Sequence, residues 1–263
     1  MKPGIRIFPA LLCLLPALAW TIPAPAEQIP VRHIQRPMRC SMVIRSQAGK
    51  TLGRVEFSQA VQGDDVTLRL TFRFLDGSID DEKTTFSQKG VFRLLRDHHL
   101  QTGPFFARPI DFTVDVRTGV VSGRAPGWNG QTRVESRHMN LPADLTNGFI
   151  GTLLLSVPPD AAPFQVQMVA PVEGGRLVHL RISPDSRQRF QRNGEEQEAT
   201  VFRIHPELGG ITGWIASLLG LQPKDVMVWI SQGAEPAVVR IVGQLGGSGP
   251  VVTSDLEGTR FPR

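Results

Sequence analysis

The chain has 263 residues, 20% of them charged, and its formal net charge of +5 arises from Lys, Arg, Asp and Glu interspersed along the sequence. A nucleic-acid partner calls for a clustered basic face with interleaved aromatics, so none is expected. Only two cysteines occur, Cys13 and Cys40, and they fall in different parts of the chain.

Residues 1–26 read as a secretory signal peptide: Lys2 and Arg6 form a positive start, Ile7 to Trp20 an apolar run, and Ala24-Pro25-Ala26 an A-x-A cleavage site. Pro9 and Pro16 interrupt that run, which falls short of the roughly 20 residues needed to span a bilayer. After cleavage the protein is therefore expected not to be an integral membrane protein, and its location is expected to be periplasmic or secreted. Leu12 stands before Cys13 where a lipobox needs a small residue. Cleavage removes Cys13 and leaves Cys40 without an intrachain disulfide partner. A lone cysteine in an exported strand is expected to pack as a small hydrophobe; the alternative is a nucleophile assisted by a histidine.

Residues 27–37, with Pro30 and Pro37, form an extended lead-in, and residues 38–263 are expected to fold as a single β-rich domain. Period-two alternation starts at Met38. Val55 and Phe57 oppose Glu56 and Ser58; after the turn Gly63-Asp64-Asp65, the residues Val66, Leu68, Leu70, Phe72 and Phe74 oppose Thr67, Arg69, Thr71 and Arg73. Further strands are expected over Lys89 to Asp97, Pro109 to Arg117 and Thr132 to His138. The gaps between them are too short for parallel crossovers, so hairpins join them.

Asp144 to Val157 carries no charge beyond its first residue and predicts a buried apolar helix with Asp144 or Asn147 near its start. Strands return at Phe164 to Ala170, Leu177 to Ser183 and Thr200 to His205, with an Asn193-Gly194 hairpin turn between the last two. A second charge-free helix is expected over Gly210 to Leu221. Its bulky arc holds Ile211, Trp214, Ile215, Leu218, Leu219 and Leu221, and burying that arc is worth on the order of 10 kcal/mol gross. The strand after it is apolar on both faces, with Val226, Val228 and Ile230 opposing Met227 and Trp229, so both faces need cover. The Gly210–Leu221 helix is the nearest candidate. Val251 to Leu256 closes the pattern.

Chemistry-bearing patterns are few. Asp97-His98-His99 joins an acid to two imidazoles, but neighbouring strand residues point to opposite faces and cannot share one metal. No H-E-x-x-H or C-x-x-C occurs, and neither metal nor cofactor is expected. Ser248 in Gly246-Gly247-Ser248-Gly249-Pro250 approaches a nucleophile elbow, but Pro250 replaces the final glycine. Gly209 to Gly213 opens a helix without the G-x-G-x-x-G spacing of a dinucleotide site. Arg69, Arg73, Arg181, Arg187 and Arg189 could meet anionic headgroups or glycans; the plainer reading is the wet side of a sheet.

The stretches LPADLTNGFIGTLLL, GGITGWIASLLGLQPKDVMVWI and AEPAVVRIVGQLGGSGP, between Leu141 and Pro250, resemble a family of uncharacterised exported bacterial proteins. That family is similar in architecture to the lipoprotein-carrier (LolA/LolB-like) half-barrels. The resemblance implies a sheet curled around apolar helices with a hydrophobic cavity, and it carries no catalytic residues.

The expected fold is mainly β (α+β): a strongly curved antiparallel sheet or half-barrel with the two apolar helices on its concave side. The expected function is non-enzymatic binding or shuttling of a lipid-like or lipoprotein ligand between helix and sheet. Its candidate lining is Trp214, Leu218, Leu221, Phe149, Leu153, Met227 and Trp229, for all of which the plainer reading is ordinary core. Two alternatives stand beside it: a cell-envelope structural or assembly factor that binds a partner protein, and a hydrolase using Asp97, His98 and His99.

Overall fold

Turns rich in glycine and aspartate fold the first part of the chain back on itself seven times. The computed structural model describes residues 28–126, 132–172, 174–207, 223–245 and 249–262. Eight strands follow one another as an antiparallel meander: β1 (Met38–Ser46), β2 (Thr51–Gln62), β3 (Asp65–Phe74), β4 (Ile79–Ser87), β5 (Arg93–Thr102), β6 (Ile110–Asp115), β7 (Val120–Pro126) and β8 (Thr132–His138). After a short helix, α1 (Ile150–Leu154), come β9 (Phe164–Ala170), β10 (Arg176–Arg192), β11 (Glu195–Glu207), β12 (Val226–Ser231), β13 (Val238–Gln244), β14 (Val251–Leu256) and β15 (Thr259–Arg260). Neighbours from β10 to β14 pair in order. β14 then pairs with β1, Met42 opposite Leu256, so both runs form one antiparallel sheet. β9 and β15 share the remaining edge of the long β10.

The sheet curls because one face of nearly every strand is apolar and has to meet something. Val114 and Val121 from β6 and β7 lie in the same buried cluster as Val169, Val178 and Val228 from β9, β10 and β12. The two ends also touch: Arg137 on β8 donates through Nη2 to the Gly175 carbonyl, before β10, at 2.7 Å. A second cluster, with Ile44, Val55, Phe74, Phe190, Val239 and Val252, shares the partly buried Leu70, Val238 and Ile241 with the first. The convex face carries ion pairs such as Arg69–Asp81 at 2.8 Å and Arg54–Glu257 at 2.9 Å, groups suited to water. Among the described residues no helix is long and apolar enough to cross a membrane.

The Asn193-Gly194 turn is as expected, with φ of 54° and 88° at its two central residues, the left-handed pair that a type I′ hairpin demands. The expected helix from Asp144 to Val157 is corrected to the five residues Ile150–Leu154. Residues 144–147 are held instead along the free edge of β9. Thr146 N–H donates to the Gln167 carbonyl, and Gln167 N–H donates to that of Asp144. Asn147 clamps Val169 twice, accepting from its N–H and donating to its carbonyl, each at 2.9 Å. Gly148 then turns the chain at φ 67°, and Phe149 starts the helix without a side-chain cap. A two-helix concave side is therefore not what the described residues show; the expected helix over Gly210–Leu221 lies outside them, as do the expected signal peptide of residues 1–26, Ser248 and the Gly209–Gly213 segment.

The lead-in is stitched down as extended chain. Val31 N–H donates to the Gly90 carbonyl, Phe92 N–H donates to that of Ile29, and Ile29 is buried.

Candidate functional site

Cross-strand register places the concave side chains in rows. One row runs Cys40, Phe57, Leu70, Glu82, His99 and Phe112 across β1 to β6, and the next runs Met42, Val55, Phe72, Asp80, Gln101 and Ile110. A third includes Leu68, Thr84, Asp97 and Val114. The apolar members extend the core, but β4 and β5 contribute Asp80, Glu82, Thr84, Asp97, His99 and Gln101 to the same face. Interior positions of a curled sheet are normally apolar, and each buried polar group must be paired or it costs stability.

The pairing is partial. His99 Nε2 lies 2.9 Å from Asp80 Oδ1, and Thr84 Oγ1 donates to Asp97 Oδ1 at 2.7 Å. Gly148 arrives from the β8–β9 connection and presses its backbone onto the cluster. A Cβ there would overlap Thr84 Oγ1 and sit 2.8 Å from Asp97 Oδ1 and 3.0 Å from the Glu82 carboxyl carbon. Asp80, Thr84, Asp97 and Gln101 are buried, whereas Glu82 and His99 keep some exposure. Gln101 gives its amide N–H to the Arg108 carbonyl at 3.4 Å, while its Oε1 is buried without a partner, as is Gln59 Oε1.

Burial and crowding reset the proton affinities. Burial, with the Asp97 and Asp80 charges added, pushes Glu82 up to about 8. Burial raises Asp97 to about 6 against the Thr84 hydrogen bond. Burial opposes charge on His99, but the Asp80 hydrogen bond and the surrounding carboxyls outweigh it and lift the imidazole to about 9. At neutral pH the group therefore combines a protonated Glu82, an ionised Asp97 and an imidazolium at His99. Among the described residues no three His, Cys, Asp or Glu side chains are placed to hold a metal ion.

The Asp97-His98-His99 run divides as strand geometry requires. Asp97 and His99 face inward, while His98 faces the convex side and meets Asp111 at 3.0 Å. Cys40 faces inward across from Phe57, and burial raises its thiol pKa.

Of the expected lining residues, the four that are described do not share one surface. Phe149 and Leu153 are 1% and 2% exposed in the main core, Phe149 stacking on Phe86 with centroids 4.6 Å apart. Met227 and Trp229 alternate with the inward Val228 and Ile230 and so take the other face of β12. There Trp229 donates to Gln188 Oε1 at 2.6 Å and meets Phe261, and both pack against the second cluster. Trp214, Leu218 and Leu221 lie outside the described residues. The arginines of the expected basic stripe are largely neutralised: Arg69 pairs with Asp81, Arg73 with Glu56, Arg187 with Glu198 and Arg189 with Glu196.

Sequence reasoning missed Asp80, Glu82, Thr84 and Gln101. Their signal is the period-two set Asp80, Glu82, Thr84, Phe86, which ends on a large apolar residue and so marks an inward face.

No protein-family description and no curated protein matches the sequence. Among solved structures, the chain is similar to a beta-barrel-like protein of domain of unknown function DUF1849 from Brucella abortus. The identity is 10%, the TM-score is 0.46, and the alignment covers 88% of this chain and 100% of that one.

Proposed function

We propose that this is an exported, non-enzymatic binding protein that seats a lipid-like ligand on the concave face of its sheet. Export rests on the signal-like residues 1–26. The observation that carries the binding reading is the exposure pattern along the rows. Val55, Phe74 and Ile44 are buried on one side and Val66, Leu68 and Phe86 on the other, yet Phe57, Leu70 and Phe72 between them remain partly exposed. A curled sheet that merely packed its own core would bury large apolar groups at its centre before those toward its ends. An apolar chain laid against these three would remove their remaining surface from water, at roughly 25 cal/mol per Å². Asp80, Glu82, Asp97 and His99 border them and offer a polar end, the usual composition of a small-molecule seat.

Protein purified from its native envelope, then extracted and examined by mass spectrometry, is expected to carry lipid. A protein that is consistently empty and also ignores apolar fluorescent probes rejects this function.

A further inference from the structure

Hydrogen-bond capacity on this part of the concave face is lopsided. Asp80, Glu82 and Asp97 bring three carboxyl groups, and Gln101 adds an amide oxygen that is fully buried and unpartnered. Gln101 stands directly across from Asp80. Against these acceptors the donors are few: the His99 Nε2 proton is engaged by Asp80, the Thr84 hydroxyl by Asp97, and Glu82 holds one proton of its own. The titratable and charged groups that face Glu82 are Asp80 from its own strand and Asp97 and His99 from β5; β3 presents Leu70 and the β8–β9 connection presents the Gly148 backbone. Among the described residues His99 is thus the single basic group facing these three acids.

We propose that the polar end of the concave seat receives a primary ammonium, so that the ligand is an alkylammonium amphiphile: an amine head among Asp80, Glu82 and Gln101 with its chain along Leu70, Phe72 and Phe57. This inference rests on the binding reading above and names the ligand class. An ammonium brings three N–H donors and a second positive charge beside the His99 imidazolium, to a site whose acceptors outnumber its donors. It pairs the orphaned Gln101 oxygen, whose isolation otherwise costs about 1–3 kcal/mol, and it sits among three carboxyl groups that His99 alone serves as a base. A carboxylate or phosphate head would add another anion beside the carboxyl groups, and an alcohol would bring one donor and no charge. As a consequence, the raised proton affinity of Glu82 falls when a cation sits beside it, so binding at neutral pH releases a proton.

The test is calorimetric titration of the native protein at pH 7 with decylammonium, decanol and decanoate, each below its micelle concentration and in two buffers of different ionisation enthalpy. Decylammonium is expected to bind at least tenfold tighter than decanol and to release a fraction of a proton, with decanoate weakest. Asp80→Asn and Gln101→Leu, checked for folding by thermal melting, are expected to reduce the amine preference at least threefold. If none of the three probes binds, the concave seat itself is wrong. If all bind equally, or decanoate binds best, the seat stands and the ammonium assignment is overturned. An amine preference that survives both substitutions also overturns it, because the cluster is then not where the head sits. Should both variants fail to fold, the head-group comparison on the native protein decides alone.

Discussion

At the level of single residues, the inward acids and His99 tie stability to pH. Glu82, Asp97 and His99 all bind a proton more tightly folded than unfolded, with ordinary values of 4.5, 3.8 and 6.5 raised to about 8, 6 and 9. Between those limits the folded state holds more protons, so stability falls as pH rises. The His99 contribution is complete below about 6.5 and is lost through about 9; the Glu82 cost grows from about 4.5 to about 8. Thermal melting is therefore expected to show a midpoint at pH 9 lower than at pH 5 by roughly 5–10 °C. Glu82→Gln is expected to flatten the slope between pH 5 and 8 while leaving the His99 loss above it. A midpoint that rises across this range contradicts the inward placement of the cluster.

Among the elements, the strip Asp144–Asn147 does what a helix start was expected to do and does it differently. A free strand edge presents unpaired N–H and C=O groups, and the Asn147 amide matches one donor and one acceptor of Val169 at once. Asn147→Ala leaves both backbone groups buried and unpaired, so it is expected to cost about 2–4 kcal/mol in chemical denaturation and to speed amide exchange at Val169. Exchange unchanged at Val169 would contradict the clamp. This element also shows where the sequence is readable. Charge-free patterning in residues 145–157 correctly marks burial, since Leu145, Phe149, Leu153 and Leu154 are all core, but burial does not distinguish a helix from an edge strip fixed by long-range partners. β3 was legible because apolar and polar residues alternate cleanly there. β4 was not, because Ile79-Asp80-Asp81-Glu82-Lys83 is polar on both faces, and its inward acids carry the site. The inward direction of His99 is implicit in its neighbour His98 facing out, yet only the register with Asp80 and Glu82 gives it chemistry.

Across the whole molecule, hairpin connectivity predicted antiparallel order well, because each local turn fixes its own pair. What no local turn could specify is the seam at which the last strands meet the first. Arg45 on β1 holds Asp255 on β14 at 3.1 Å across 210 positions of sequence. Closing so long a loop before its contacts repay it makes folding slow. Stopped-flow refolding is expected to show a dominant phase of about seconds, which Asp255→Ala slows if the seam forms in the transition state and leaves unchanged if it forms later. A chain still emerging from the ribosome faces the same wait: β1 is made first, but the partner for its outer edge is made almost last. Until residue 256 appears, the nascent sheet has an open flank at β1, and an open strand edge is a template on which another unfinished chain can pair.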